Sequence, residues 1–196
     1  MIKNIHVQSC LNCRPKPICD CGNQGIGFEI KDCRRINLLV GNHGVGKSFA
    51  LAHVNLEGKP FVKVLGAVLL PPTESICIED VKNFELAMAK NQFPFPPNPI
   101  RKFLILDEIG NNTHHSIHKP FWTNLIKEII EHDLQVFAAT HSREMIQSLV
   151  KVCQEGAIDE KDFVVFSLYK DGEKNYVDDY RGENLQIQID NGGEIR

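Results

Sequence analysis

An α/β fold with a mostly parallel central sheet is the architecture this sequence predicts, and three observations predict it. Short apolar runs alternate with helix-periodic segments through the middle of the chain. One of those runs, Ile36-Asn37-Leu38-Leu39-Val40, is almost continuously apolar, as a strand covered on both faces would be. The two ends break the alternation, with a pair of short N-terminal antiparallel strands at one and a β-hairpin at the other.

The elements follow in order. Residues 2 to 8 alternate polar and apolar side chains, which predicts a strand, and Gly27-Phe28-Glu29-Ile30 predicts its neighbour. Residues 10 to 25, with Pro15, Pro17, Gly22 and Gly25, read as the loop between them. After the strand at 36 to 40 comes a glycine-rich turn, then a helix-compatible run from Lys47 to about Val54. Residues 61 to 70 suggest a strand ended by Pro71-Pro72, and 78 to 90 a helix. Residues 93 to 99 form a proline-stiffened connector. Phe103-Leu104-Ile105-Leu106 is the next strand. From Pro120 the spacing turns helical, with Phe121, Trp122, Leu125, Ile126, Ile129 and Ile130 on one face. A strand at 135 to 139 and a helix from Ser142 to about Gln154, stopped at Gly156, come next. Segments 163 to 169 and 174 to 180 flank Lys170-Asp171-Gly172-Glu173, a hairpin signal.

Composition limits the function classes. The 196 residues suit a single domain, and 42% hydrophobic with 24% charged is ordinary for a globular chain. Lys and Arg number 22 against 25 acids, a net charge of -3. That balance argues against a protein that coats nucleic acid generally. No apolar run is long enough to span a bilayer, and the first residues lack the apolar stretch of an export signal. The expectation is a cytoplasmic protein without a membrane partner.

The sharpest motif is Gly41-Asn42-His43-Gly44-Val45-Gly46-Lys47-Ser48. Two glycines bracket four residues and are followed by Lys and Ser, the pattern of a phosphate-binding loop. Glycines allow successive N–H groups to turn inward around phosphate oxygens. A following helix, opening through Phe49, aims its positive end at the same anion. Lys47 would reach the terminal phosphates and Ser48 would ligate Mg2+. The metal also needs a carboxylate from a neighbouring strand, and Phe103-Leu104-Ile105-Leu106-Asp107-Glu108 supplies two. Asp107 fits the Mg2+ partner, and Glu108 a base that polarises water. Asp107-Glu108-Ile109-Gly110 also satisfies the Asp-x-x-Gly pattern of GTPases. The chain has no Asn-Lys-x-Asp run for guanine, so ATP is the expected nucleotide. A third strand ends in Thr140-His141-Ser142, where an imidazole could bond a terminal phosphate.

In that order these segments resemble ABC-type P-loop ATPase heads. They are most similar to small ATP-binding proteins related to the OLD and SMC groups, often labelled AAA-family ATPases. The resemblance runs through the Walker A stretch 41 to 48, the Walker B stretch 103 to 108, the segment 109 to 118, Phe121-Trp122 and the switch Thr140-His141-Ser142. It implies phosphate and Mg2+ binding by Lys47 and Ser48 and metal holding by Asp107. It also implies a catalytic base at Glu108, a γ-phosphate switch at His141 and a nucleotide-dependent dimer that sandwiches ATP. The sequence departs from the pattern in two respects. Residues 49 to 102 are too few for the usual helical subdomain, and no Ser-Gly-Gly-like signature precedes Asp107.

Seven cysteines are an odd count that does not suggest a disulfide framework. Cys10, Cys13, Cys19 and Cys21 could wrap a Zn2+ ion within the proline-rich loop, or remain free thiols in a flexible hairpin. His114, His115 and His118 are read as solvated or packing residues. The expected function is Mg2+-dependent ATP binding with slow hydrolysis, as a nucleotide-driven switch or motor head for a partner. The alternative is a non-hydrolysing, nucleotide-gated module that recruits a nuclease or a DNA-bound protein. A kinase, which would need an arginine-rich lid, ranks third.

Overall fold

A computed structural model describes residues 2–7, 28–54, 75–78, 80–92, 103–172 and 174–190. The strand expected at 61–70 and the four clustered cysteines, Cys10, Cys13, Cys19 and Cys21, lie outside the described residues. The elements are β1 (Ile5–Val7), β2 (Phe28–Ile30), β3 (Ile36–Val40), α1 (Lys47–Val54), β4 (Ser75–Ile78), α2 (Val81–Ala89) and β5 (Phe103–Leu106). They continue as α3 (His118–Glu131), β6 (Gln135–Ala139), α4 (Arg143–Gln154), β7 (Phe163–Asp171), β8 (Lys174–Tyr180) and α5 (Gly182–Asp190).

Six strands form one sheet in the order β4-β5-β6-β3-β7-β8. The first five run parallel, and β8 returns antiparallel through the hairpin expected from Asp171-Gly172. β1 and β2 pair antiparallel in a separate two-stranded sheet, Ile5 opposite Ile30.

Side-chain alternation sorts the core into two layers. Ile36, Leu38, Leu104, Leu106, Val136, Ala138, Phe163 and Val165 face one way, beneath α2, α3, α4 and α5. Leu39, Ile105, Phe137, Ala139, Val164 and Phe166 face the other, against α1 and the β1–β2 pair. Both faces of the sheet are therefore covered, which is why its strands read as apolar runs rather than alternating ones.

Two expectations are corrected, and one helix was not anticipated. Ile78 belongs to β4, not to the following helix, because Ser75–Ile78 pairs with Phe103–Leu106 and Asp80 then caps α2 through the Asn83 N–H. Ile130 is 52% exposed, because it sits one helical step beyond the Ile126 edge of the buried stripe of α3. The sequence reading also left α5 unassigned. Its Leu185 and Ile189 nevertheless join the core, and the Arg143 guanidinium donates to the Ile189 carbonyl at 2.9 Å.

Two buried amides hold the sheet to its surroundings. Asn37, fully buried in β3, donates to the carbonyls of Arg34 (2.7 Å) and Val136 (3.0 Å) and accepts the Arg34 N–H (2.6 Å). Gln135 exchanges bonds with both backbone groups of Ile2 and donates to the Arg34 carbonyl. The N-terminal strands are thereby moored to the edge of β6. Among the described residues no helix is long and apolar enough to cross a membrane.

Replacing Asn37 with Ala strips these bonds and leaves the Arg34 N–H without its acceptor. The expected loss is about 2–3 kcal/mol of stability, read as a lowered urea midpoint with an unchanged m-value.

Candidate functional site: a glycine loop facing two acids and a histidine pair

The loop 41–48 joins the carboxyl end of β3 to the start of α1. Gly41, Gly44 and Gly46 have φ of +131°, +77° and +100°, conformations that L side chains rarely adopt. Gly41 has a second reason to be glycine: a Cβ there would stand 2.1 Å from the Leu168 carbonyl oxygen of β7. The loop is thus seated directly on the neighbouring strand. On its other side Gly46 lies against the Phe28 ring of β2. Asn42, His43, Gly44 and Ser48 are exposed, while Val45 is buried as the loop's anchor in the core. The side chain of Phe49 lies outside the described residues.

Lys47 folds over the loop, donating to the carbonyls of Gly41 (2.7 Å) and Asn42 (3.0 Å). Partial burial pushes its ammonium below the ordinary lysine value, and the charges of Asp107 and Glu108 act against that shift. The acids that follow β5 therefore share an electrostatic environment with the lysine of the loop. One strand, β6, lies between β3 and β5. It contributes the third component: the ring of His141, just past its end, sits 4.7 Å from the ring of His43. The residues predicted from sequence in the loop, the acid pair and the switch segment thus all cluster at the carboxyl ends of three adjacent parallel strands. In open α/β sheets that is where ligands bind.

Asp107 Oδ1 is buried and finds no hydrogen-bond partner among the described residues. A buried carboxylate oxygen left unpaired is costly in isolation and suited to a cation. With the Ser48 hydroxyl exposed on the loop, the oxygen donors fit Mg2+. Glu108 is different: it is exposed, and Asn111 Nδ2 donates to its Oε2 at 3.1 Å.

Glu108 also has φ of +58°, strained for a side chain of this size. The residues after it explain why the strain persists. The Ile109 N–H donates to the Ala139 carbonyl, and the Thr140 hydroxyl donates to the Ile109 carbonyl at 2.6 Å. The Gly110 N–H donates to Glu85 at 2.6 Å, and the Thr113 hydroxyl donates to the same carboxylate at 2.5 Å. Gly110 packs so closely on Ser142 and Met145 of the α4 start that a Cβ would crowd both. Burial pushes Glu85 above the usual carboxylate range, with those two hydrogen bonds pulling the other way.

Sequence reading missed Glu85, Asn111 and the bracing role of Thr140. Glu85 had a signal: with Val81, Phe84 and Met88 it keeps the spacing of a buried helical stripe, where an acid requires partners. Of His114, His115 and His118, His118 opens α3 and is buried with Nε2 3.4 Å from the Thr113 hydroxyl, and His114 accepts the Ser116 N–H.

No protein family matches the chain, and no curated protein matches it either. The site must be read from its own geometry.

Two measurements test this geometry. Gly41→Ala should lose at least about 3 kcal/mol in chemical denaturation. Gly44→Ala, whose Cβ meets nothing within 4 Å, should lose only about 1 kcal/mol. Glu85→Gln removes a group held more protonated in the folded chain than in the unfolded one. Such a group favours folding most at low pH and loses that contribution as the pH rises through its folded value. The stability of the parent relative to Glu85→Gln should therefore fall on raising the pH from about 4 towards 7.

Proposed function

We propose that this protein binds ATP with Mg2+ and hydrolyses it slowly, as a nucleotide-driven switch for a partner protein or a second copy of itself. One observation carries the reading: a glycine loop with its lysine, a pair of acids and a histidine meet at one sheet edge, although residues 41, 107 and 141 are far apart in the chain. The resemblance of these same segments to ABC-type heads of the OLD and SMC groups points the same way.

In this reading the loop N–H groups and Lys47 take the phosphate oxygens, and Lys47 exchanges its two carbonyl acceptors for charged ones. Ser48 and Asp107 would hold Mg2+, which neutralises charge on the phosphates. Glu108, oriented by Asn111, takes the proton of a water whose oxygen attacks the γ-phosphorus. The bond to the β–γ bridging oxygen breaks, leaving ADP and phosphate. The ring of His141, 4.7 Å from that of His43 on the loop, would bond the terminal phosphoryl group. The absence of a guanine-recognition run supports adenine. A small negative net charge gives no support to a general nucleic-acid partner.

The test is calorimetry and phosphate release on the full chain. Lys47→Ala should weaken Mg-ATP binding by about 100-fold. Glu108→Gln should bind Mg-ATP within a few-fold of the parent while phosphate release falls by about 100-fold or more. A parent that binds ATP and releases no phosphate would establish the non-hydrolysing module instead, and a parent that binds no nucleotide would end both readings.

A further inference from the structure

His43 and His141 are brought together by the fold rather than by sequence proximity. His43 is an exposed residue in the turn of the loop between Asn42 and Gly44. His141 follows Thr140, which is fixed on three sides. Its N–H donates to the Leu39 carbonyl (3.0 Å), its hydroxyl donates to the Ile109 carbonyl (2.6 Å), and that hydroxyl accepts the Ser142 N–H (3.0 Å). The two exposed rings meet at 4.7 Å, tilted by 56°.

An exposed contact of this kind adds little to the core. Each neutral imidazole, however, carries one N–H donor, and each protonated one carries two. Two such rings side by side, one on the phosphate loop and one on the adjacent strand end, can direct donors at a single group of oxygens. In the ATP-binding reading Lys47 and the loop amides take phosphate oxygens from the loop, and the two rings would add donors beside them. Asp107 and Glu108 act on Lys47 electrostatically and bring negative charge, not donors, to the site. A terminal phosphoryl group beside this ring pair would therefore find imidazole donors in addition to Lys47.

Building on the ATP-binding reading, we propose that His43 pairs with His141 as a terminal-phosphate clamp, making His43 the residue by which this site selects a nucleoside triphosphate over a diphosphate. His43 contacts the γ-phosphoryl oxygens directly and sets the ring of His141 against the loop. The two act as one unit, so removing either should undo most of what both contribute.

The experiment is titration calorimetry on the full chain with Mg2+, using ADP and a non-hydrolysable ATP analogue. The parent should bind the triphosphate at least about tenfold more tightly than ADP. His43→Ala should weaken the triphosphate by about tenfold, the size expected for one hydrogen bond to a charged group, and leave ADP within about twofold. The His43→Ala, His141→Ala double variant should be no weaker than about threefold beyond either single variant. His43→Gln, which keeps an N–H donor, should recover part of the preference. A triphosphate preference unchanged in His43→Ala, or absent from the parent, overturns the clamp while leaving nucleotide binding intact. A folded parent that takes up neither nucleotide overturns the ATP-binding reading as well, so the two failures are distinguishable.

Discussion

Thr140 is the constraint on which the site depends. It stands where β6 ends, between the strand that leads into the glycine loop and the strand that leads into the acid pair. Its N–H bonds back to Leu39, its hydroxyl bonds across to Ile109, and the Ile109 N–H returns to Ala139. These three bonds tie the carboxyl ends of β3, β6 and β5 into one edge. Because Thr140 is fully buried, the bonds are shielded from competing water, and each unmet partner would be costly. The loop, Asp107, Glu108 and His141 are positioned relative to one another through this residue.

A second level of organisation comes from polar side chains buried inside an apolar sheet. Asn37 and Gln135 satisfy backbone groups where β3 and β6 begin, at the opposite edge from the site. Glu85 reaches from α2 to the turn after β5 and holds it by two donors. Each of these groups is satisfied in one arrangement only, since a one-residue slip would leave several donors and acceptors buried and unpaired. Apolar packing makes the sheet stable in many registers; these amides and this carboxylate select one. The strain at Glu108 follows from that selection, because both of its neighbours on the C-terminal side are fastened to other elements.

Opposite charges meet at the candidate site. Lys47 is partly desolvated and so ready to exchange neutral carbonyl acceptors for charged oxygens. Asp107 keeps one oxygen buried and without a hydrogen-bond partner among the described residues. Each of these is unfavourable alone, and the two charges partly offset one another across the loop. Unfavourable groups collected at one strand edge are what a binding site requires and what a purely structural edge would avoid.

The local chemistry of the loop was legible from sequence because it depends on residue type at close spacing. Only glycine adopts the dihedral angles at positions 41, 44 and 46 without strain, and only a lysine and a serine in that order supply the ammonium and hydroxyl. The apolar strand before the loop and the acids after Leu106 were legible for the same reason, as was the hairpin at Gly172. The short strand Ser75–Ile78 was not, because Ile78 runs almost directly into the helix from Val81 and only the pairing with Phe103–Leu106 separates the two. Ile130 looked buried because helical spacing alone does not say where the covered stripe ends. Glu85, Asn111 and Thr140 are ordinary polar residues until folding brings Gly110, Glu108 and Ile109 beside them. Sequence by itself determined which chemical groups the loop, the acid pair and the switch segment carry. Tertiary structure decided which groups brace them and which histidines meet, because hydrogen bonds and ring contacts between distant segments exist only once the strand order is set.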